Sequence, residues 1–367
     1  MKKPRLHIFV PENDLALAAG TSNYTPPPIG LKMHLAGEIL PLSYASEGDR
    51  FLSYGFSDAE LRRLTTMLGK DVDLASREEI VSGRFTPTPW GWSQYTRSLF
   101  TEMGVPECSL PTRECIEELR MLSHRRTSVA INKDLGYEGG MEIFTPEAAV
   151  SLLSDNGDFY LKQPWSGSGR GVMATAGMSR DAIIKFATAS IRRQGSVIAE
   201  KALPSVGDFA TLWYCENGSV TFHGYSRFLT HGDGGKYAGN LVASQEFILK
   251  NIIALGLESD QIFKIVDELR TALTARIASH YCGPIGVDML AYKDGAGDTY
   301  IAPCIEVNLR YTMGFVAEGL ARKLSLPSPR LLCVVPWEET CFLPAGSIIL
   351  SQPGTFAYVL KPYQDRP

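Results

Sequence analysis

Residues 159–173, Phe-Tyr-Leu-Lys-Gln-Pro-Trp-Ser-Gly-Ser-Gly-Arg-Gly-Val-Met, constrain this chain more than any other stretch. Phe159 to Lys162 alternates apolar and polar side chains, which suits a short strand, and Val172 resumes a second one. Between them Ser166, Gly167, Ser168, Gly169, Arg170 and Gly171 form a loop with three glycines in five residues. Such a backbone can turn its N–H groups toward an anion. Lys162 ahead of the loop and Arg170 within it add positive charge, so the stretch reads as a clamp for nucleotide phosphates. The plain alternative is a flexible hairpin with a surface lysine, because glycine-rich loops are common. Two better-known phosphate motifs do not fit. A Walker A loop needs glycine five residues before Gly-Lys, where Gly69-Lys70 has Leu64 and Gly235-Lys236 has Thr230. A dinucleotide fingerprint needs a helix straight after the loop, but Val172-Met173-Ala174-Thr175 reads as strand.

The chain of 367 residues is long enough for two or three domains. Its net charge of −4 gives no bulk attraction to nucleic acid or to an anionic membrane. After the basic Met1-Lys2-Lys3-Pro4-Arg5, the apolar run Leu6–Val10 is too short for a signal peptide, and no stretch is long enough to span a bilayer. Seven scattered cysteines with no Cys-x-x-Cys read as reduced thiols of a cytoplasmic protein.

Leu6–Val10 reads as a first strand leading into Pro11-Glu12-Asn13-Asp14 and a short helix, Leu15–Ala19. Asp14 is read as the helix N-cap, with a ligand role as the second reading. Tyr24 to Pro28 is a stiff extended segment. Asp58–Leu68 has helical spacing, and Ser93 caps a helix over 94–103. Trp90 and Trp92 read as packing anchors. Residues 1–120 therefore form an N-terminal α/β domain. Ile116–Lys133 is one long helix or two short ones, and Ser179 caps a helix ending near Arg193. Glu216-Asn217-Gly218-Ser219 is a hairpin turn. Thr230–Gly239 reads as a mobile polar loop, and Asp260–His280 as an amphipathic helix.

Two further strands, Ile285–Tyr292 and Thr299–Asn308, carry the acidic residues. Glu306 and Asn308 are two apart and project from one strand face, with Arg310 next in that series. Asp288 lies mid-strand. Three oxygen-bearing side chains on neighbouring strands suit Mg²⁺, which takes a few carboxylates and lets nucleotide phosphates complete its octahedron. Arg310 can hold a phosphate or a carboxylate. A symmetric six-residue loop between these strands would put Asp288 and Glu306 on opposite faces; an odd loop or a bulge near Pro303 brings them together. The competing view is a pair of buried structural carboxylates.

In this order, the strand lysine, glycine-rich flap, Glu200-Lys201-x-Leu203, Asp288 and Glu306-Val307-Asn308-Leu309-Arg310 resemble the ATP-grasp superfamily over about residues 120–320. The Glu-Val-Asn-x-Arg form looks most like the carbamoyl-phosphate synthetase and amino-acid ligase branches. The resemblance implies an α/β (α+β) fold in which two α+β subdomains grip ATP. Residues 121–198 would bear the flap, 199–325 the hinge and metal ligands, and 326–367 an extension packing on the core. It implies that Lys162 binds the α- and β-phosphates and that Ser166–Gly171 closes over the triphosphate. Glu200, Lys201 and Leu203 would form the adenine hinge, Asp208 would hold the ribose, and Asp288, Glu306 and Asn308 would bind Mg²⁺ or Mn²⁺. Arg125 or Arg126 would reach the phosphates, and Arg310 would steady the transferring phosphoryl group. Arg227, His231 and Lys236 lie where the family often contacts the acceptor, or in a solvated loop. The implied activity is a carboxylate–amine (or thiol) ligase with an acyl-phosphate intermediate and small-molecule substrates. Nucleic acid and membrane are not expected partners, and a homodimer is compatible. The alternatives are a nucleotide sensor without ligase activity and carbamoyl-phosphate-synthetase-like phosphoryl transfer.

Overall fold

The computed structural model describes residues 3–53, 55–68, 72–152, 157–167, 171–231, 236–324 and 326–364, with the side chains at 231 and 236 outside that description. Sixteen strands form three sheets. The first sheet is parallel, in the order β3-β2-β1-β4, from β1 (Arg5–Ile8), β2 (Arg50–Phe51), β3 (Asp73–Leu74) and β4 (Thr86–Pro89). The second is antiparallel, in the order β5-β8-β6-β7, from β5 (Met141–Ile143), β6 (Phe159–Lys162), β7 (Val172–Ala174) and β8 (Val197–Lys201). The third runs β13-β12-β9-β10-β11-β14-β16-β15. Its strands are β9 (Ser205–Glu216), β10 (Ser219–His231), β11 (Lys236–Val242), β12 (Gly283–Lys293), β13 (Thr299–Asn308), β14 (Arg330–Pro336), β15 (Ile348–Ile349) and β16 (Phe356–Pro362). Residues 330–362 thus continue the large sheet rather than lie against it, and Thr230, His231 and Lys236–Gly239 belong to ladders where a loop is expected.

Local signals explain most elements. Ser93 and Ser179 accept the backbone N–H groups of Thr96 and Ala182, starting helices 94–102 and 180–194. Gly195, at φ 88°, ends the second in the left-handed conformation. Asn217 and Gly218 both have positive φ, which a two-residue hairpin between β9 and β10 needs. Ile116–Lys133 resolves into two helices, 113–122 and 126–134, with the break falling at Ser123–Arg125. The extended segment expected at 24–28 runs as far as Pro27, and a helix that the sequence reading does not include begins at Pro28 and covers 28–37; proline fits the first helical position because that N–H has no partner to lose.

The large sheet has two unlike faces. On one, Phe209, Trp213, Ile285, Val287 and Met289 pack against helices 245–253 and 259–277. On the other, Leu212, Val242 and Leu332 pack on helix 313–324 and join Phe9 and Trp90 of the N-terminal unit in one core. Trp90 is buried and meets Phe9 edge-on at 4.9 Å, as a packing anchor should, and its carbonyl accepts the Tyr311 N–H. That bond ties the N-terminal unit to the chain as it leaves β13. Among the described residues, no helix is long and apolar enough to cross a membrane.

Candidate active site

The acidic residues converge because of the β12–β13 register. Lys293 faces Thr299, leaving the five residues 294–298 as the loop. An odd loop sets Asp288 and Glu306 on the same face. A further shift between Asp288 and Leu290 then slides β13 until Asp288 and Glu306 are direct partners, with Asn308 opposite Gly286. Helix 126–134 holds the shifted segment: Asn132 donates to the Cys304 carbonyl at 2.7 Å, and Ser128 Oγ accepts the Val307 N–H at 3.1 Å. On β9, Ala210 faces Asp288 and Asp208 faces Leu290, so Asp208 shares the carboxylate face.

Asn308 donates to Asp288 at 3.3 Å. Burial, and then the charge of Glu306, push the Asp288 carboxyl up to about 7. Among the described residues no three His, Cys, Asp or Glu side chains gather as a metal cluster. The donor set is instead two carboxylates and an amide. A half-buried pair of hard-oxygen acids that repel each other fits a divalent cation such as Mg²⁺. Asp208 accepts from Thr230 Oγ1 at 3.1 Å, and burial raises its carboxyl above the usual range.

Positive charge reaches this face from two sides. Lys162, at the end of β6, donates to Glu200 on β8 at 2.5 Å, and both are buried. Arg125 lies at the helix break, 5% exposed. Its guanidinium donates to the Gln163 carbonyl at 3.1 Å and to both oxygens of Ser166 at 3.2 Å, and it meets Glu306 at 3.0 Å. Arg126 instead points to Glu142 on β5, at 2.8 Å. The geometry therefore favours Arg125 over Arg126. His124, beside them, is buried edge-on to Trp165 at 4.6 Å. Burial and then the neighbouring Arg126 charge lower its imidazole to about 3.

The flap closes on itself through Gln163 N–H and the Gly171 carbonyl, at 2.8 Å. Gly171 has φ 68°, and a Cβ there would sit 2.7 Å from Gln163 Oε1. Ser168, Gly169 and Arg170 lie outside the described residues. Lys201 ends β8, and Leu203 lies in the short connection that carries the chain from the flap-bearing sheet to the large one.

Asp14 is not the N-cap expected of it. It sits in the first turn of helix 13–19, whose cap residue is Glu12. Its carboxylate takes a bidentate pair from Arg310, with Nε at 2.8 Å and Nη2 at 2.7 Å. Burial works against the Arg310 charge, but Asp14, Glu306 and Asp288 outweigh it and raise its pKa. A Cβ on Gly167 would fall 2.4 Å from Asp14 Oδ2, so the flap base lies directly on this pair. Asp14, Ser166, Glu306, Asn308 and Arg310 line one cleft. The only sequence hint of Asp14 is its place at the carboxyl end of a first strand, where α/β folds bind ligands. Arg227 does not join the site. It pairs with Phe209, on the face opposite Asp288, and its guanidinium donates to the Asp208 and Phe228 carbonyls. The side chains of His231 and Lys236 lie outside the described residues.

No family model matches the sequence. No curated protein matches it either. Solved structures do. The biotin carboxylase of Campylobacter jejuni, solved with β-γ-ATP, aligns with 99% of this chain and 88% of its own, at TM-score 0.53 and 13% identity. The biotin carboxylase domain of Hydrogenobacter thermophilus 2-oxoglutarate carboxylase, solved with MgADP, ADP and bicarbonate, gives 99% and 87%, TM-score 0.54 and 13% identity. The chain has the ATP-grasp fold. An Aspergillus clavatus N5-carboxyaminoimidazole synthase, solved with ADP and 5-aminoimidazole ribonucleotide, extends the likeness at TM-score 0.50 and 12% identity, over 99% of this chain and 95% of its own. The loop that follows β6, through Ser166, and the end of β13, through Glu306 and Asn308, line the same cleft.

Proposed function

We propose that the protein is an ATP-dependent ligase joining a carboxylate to an amine, or less often a thiol, through an acyl phosphate. One observation carries this reading: Arg125 and Arg310 meet Glu306 and Asp288, and Lys162 acts on Asp208 of the same strand face, beside a glycine-rich flap. The neighbours were solved with ATP, ADP or MgADP, which supports the same ligands here. Asp288, Glu306 and Asn308 would hold Mg²⁺, which supplies charge neutralisation to phosphoryl transfer.

The chain's own residues do the rest. Lys162 rests on Glu200 and Arg125 on Glu306. Both cations are thus held in place on carboxylates and are handed to phosphate oxygens when nucleotide binds. Asp208 and the hinge Glu200, Lys201 and Leu203 position the nucleoside. A substrate carboxylate oxygen bonds to the γ-phosphorus as the bond to the ADP oxygen breaks. The amine nitrogen then bonds to the acyl carbon, phosphate leaves, and the amine gives up a proton. Arg310, fixed by Asp14, steadies the phosphoryl group, so that positioning and electrostatics do most of the catalysis. Ser166–Gly171 excludes water from the acyl phosphate.

The test is a screen of ADP release with pooled carboxylates and amines. Release that needs one member of each pool supports the ligase. ATP binding without release in any pool points to a nucleotide sensor. Absence of ATP binding at millimolar nucleotide rejects the assignment.

A further inference from the structure

Glu12 is 6% exposed, and neither of its carboxylate oxygens has a hydrogen-bond partner among the described residues. Burial raises its carboxyl, its own backbone amide works against that, and no lysine, arginine or histidine among the described residues is paired with it. Its charge is felt by Tyr95 and Tyr358 instead. Next to it, Asn13 is 1% exposed, its Oδ1 is likewise buried without a partner, and it lines the cleft with Asp14, Glu306 and Arg310. Two consecutive residues thus offer three buried acceptor oxygens and no cation.

A buried carboxylate without a cation is costly, and proteins pair such groups. Burial favours the protonated acid, and a partner that brings N–H donors and positive charge would restore the carboxylate. A carboxylate or phosphate ligand brings neither, and a neutral hydroxyl brings no charge. The aromatic setting agrees: Tyr95 meets Tyr24 edge-on at 5.3 Å, and tyrosine rings favour an organic cation. The position agrees too, because Glu12 and Asn13 follow β1 at the carboxyl end of a parallel sheet.

We infer that Asn13, which lines the cleft, and Glu12, buried behind it, form a binding site for the protonated primary amine of a substrate. This rests on the ligase reading only for the use made of that amine. Binding itself is independent of it.

The experiment is calorimetric titration of the full chain with a panel of primary amines, with acetylated counterparts as controls, repeated on Glu12→Gln and Glu12→Asp. MgATP is titrated into each variant separately. At least one amine should bind, its acetylated form should not, and Glu12→Gln should weaken it by roughly tenfold to a hundredfold, the value of a charge-assisted contact. Glu12→Asp should restore part of the loss, and MgATP affinity should stay unchanged. The site is disproved if no amine binds, or if the amine binds Glu12→Gln as it binds the parent. A melting curve confirms that each variant is folded; a merely structural acid would shift that curve and leave amine affinity alone. MgATP binding without amine binding sinks this inference and spares the ligase, and the reverse result does the opposite.

Discussion

Replacing Gly167 by alanine tests whether the flap base and the Asp14–Arg310 pair form one mechanical unit. Gly167 does not have a left-handed backbone, so alanine carries no conformational penalty there. The whole cost comes from a new Cβ 2.4 Å from Asp14 Oδ2, far inside van der Waals contact. An unrestrained carboxylate would swing away cheaply. This one is held by two hydrogen bonds from Arg310, at 2.8 and 2.7 Å, with both side chains mostly buried. Moving Asp14 aside therefore breaks a bidentate pair and leaves Arg310 only the charges of Glu306 and Asp288, a loss of about 3 kcal/mol. Asp14→Ala alone should cost about the same, for the same reason. In that background the Cβ at 167 meets nothing charged or fixed, so the double variant should be no worse than Asp14→Ala. The assay is a double-mutant cycle by denaturant unfolding of the nucleotide-free protein. The expected coupling is about 2–3 kcal/mol, well above the ~0.5 kcal/mol seen for independent sites. If Gly167→Ala costs the same with and without Asp14, the two are not in contact and the interlock is refuted.

Glu306→Gln should leave the fold intact, because the amide oxygen can still accept from Arg125, while turnover falls roughly a thousandfold. A large drop in melting temperature, with activity tracking the folded fraction, would count against Glu306 as a metal ligand. His124 supplies a pH test. Its folded imidazole stays neutral down to about 3, whereas the unfolded one takes up a proton near 6.5. Its contribution is therefore present above 6.5 and is lost as pH falls toward 3. The gap in unfolding midpoint between pH 7 and about pH 4.5 should be narrower in His124→Asn than in the parent; an equal gap contradicts the assignment.

The nucleotide side of the site is legible in the sequence because its signals are local. A strand lysine, a glycine loop, the two serine caps and Asn217-Gly218 each announce themselves within a few residues. The metal side is half legible. Residue spacing puts Glu306, Asn308 and Arg310 on one face, but only the register of β12 on β13 brings Asp288 to them. Asp14 is not legible as a partner of Arg310, because 296 residues separate them and no local pattern encodes the contact. Helix 28–37 is hidden by its prolines, which also favour an extended chain. Strand β14 is missed because its run, Arg330–Pro336, ends in proline and lacks alternation.

The five-residue turn at 294–298 has a consequence for how this protein can vary. It is wholly exposed, and a side chain at Gly295 would meet nothing. Gly295 and Ala296 form the kind of surface tip that accepts almost any substitution, whereas Gly297, at φ 94°, and Asp294, whose Oδ1 accepts the Ala296 and Asp298 N–H groups, do not. Its length is another matter. Adding or removing one residue would turn one whole strand over relative to the other and send Asp288 and Glu306 to opposite sides of the sheet. Adding two would not. Lineages descending from this chain, and epitopes grafted into it, are thus free in spelling at the tip of this turn but bound to even-numbered changes in length, by a pair of carboxylates the turn never touches.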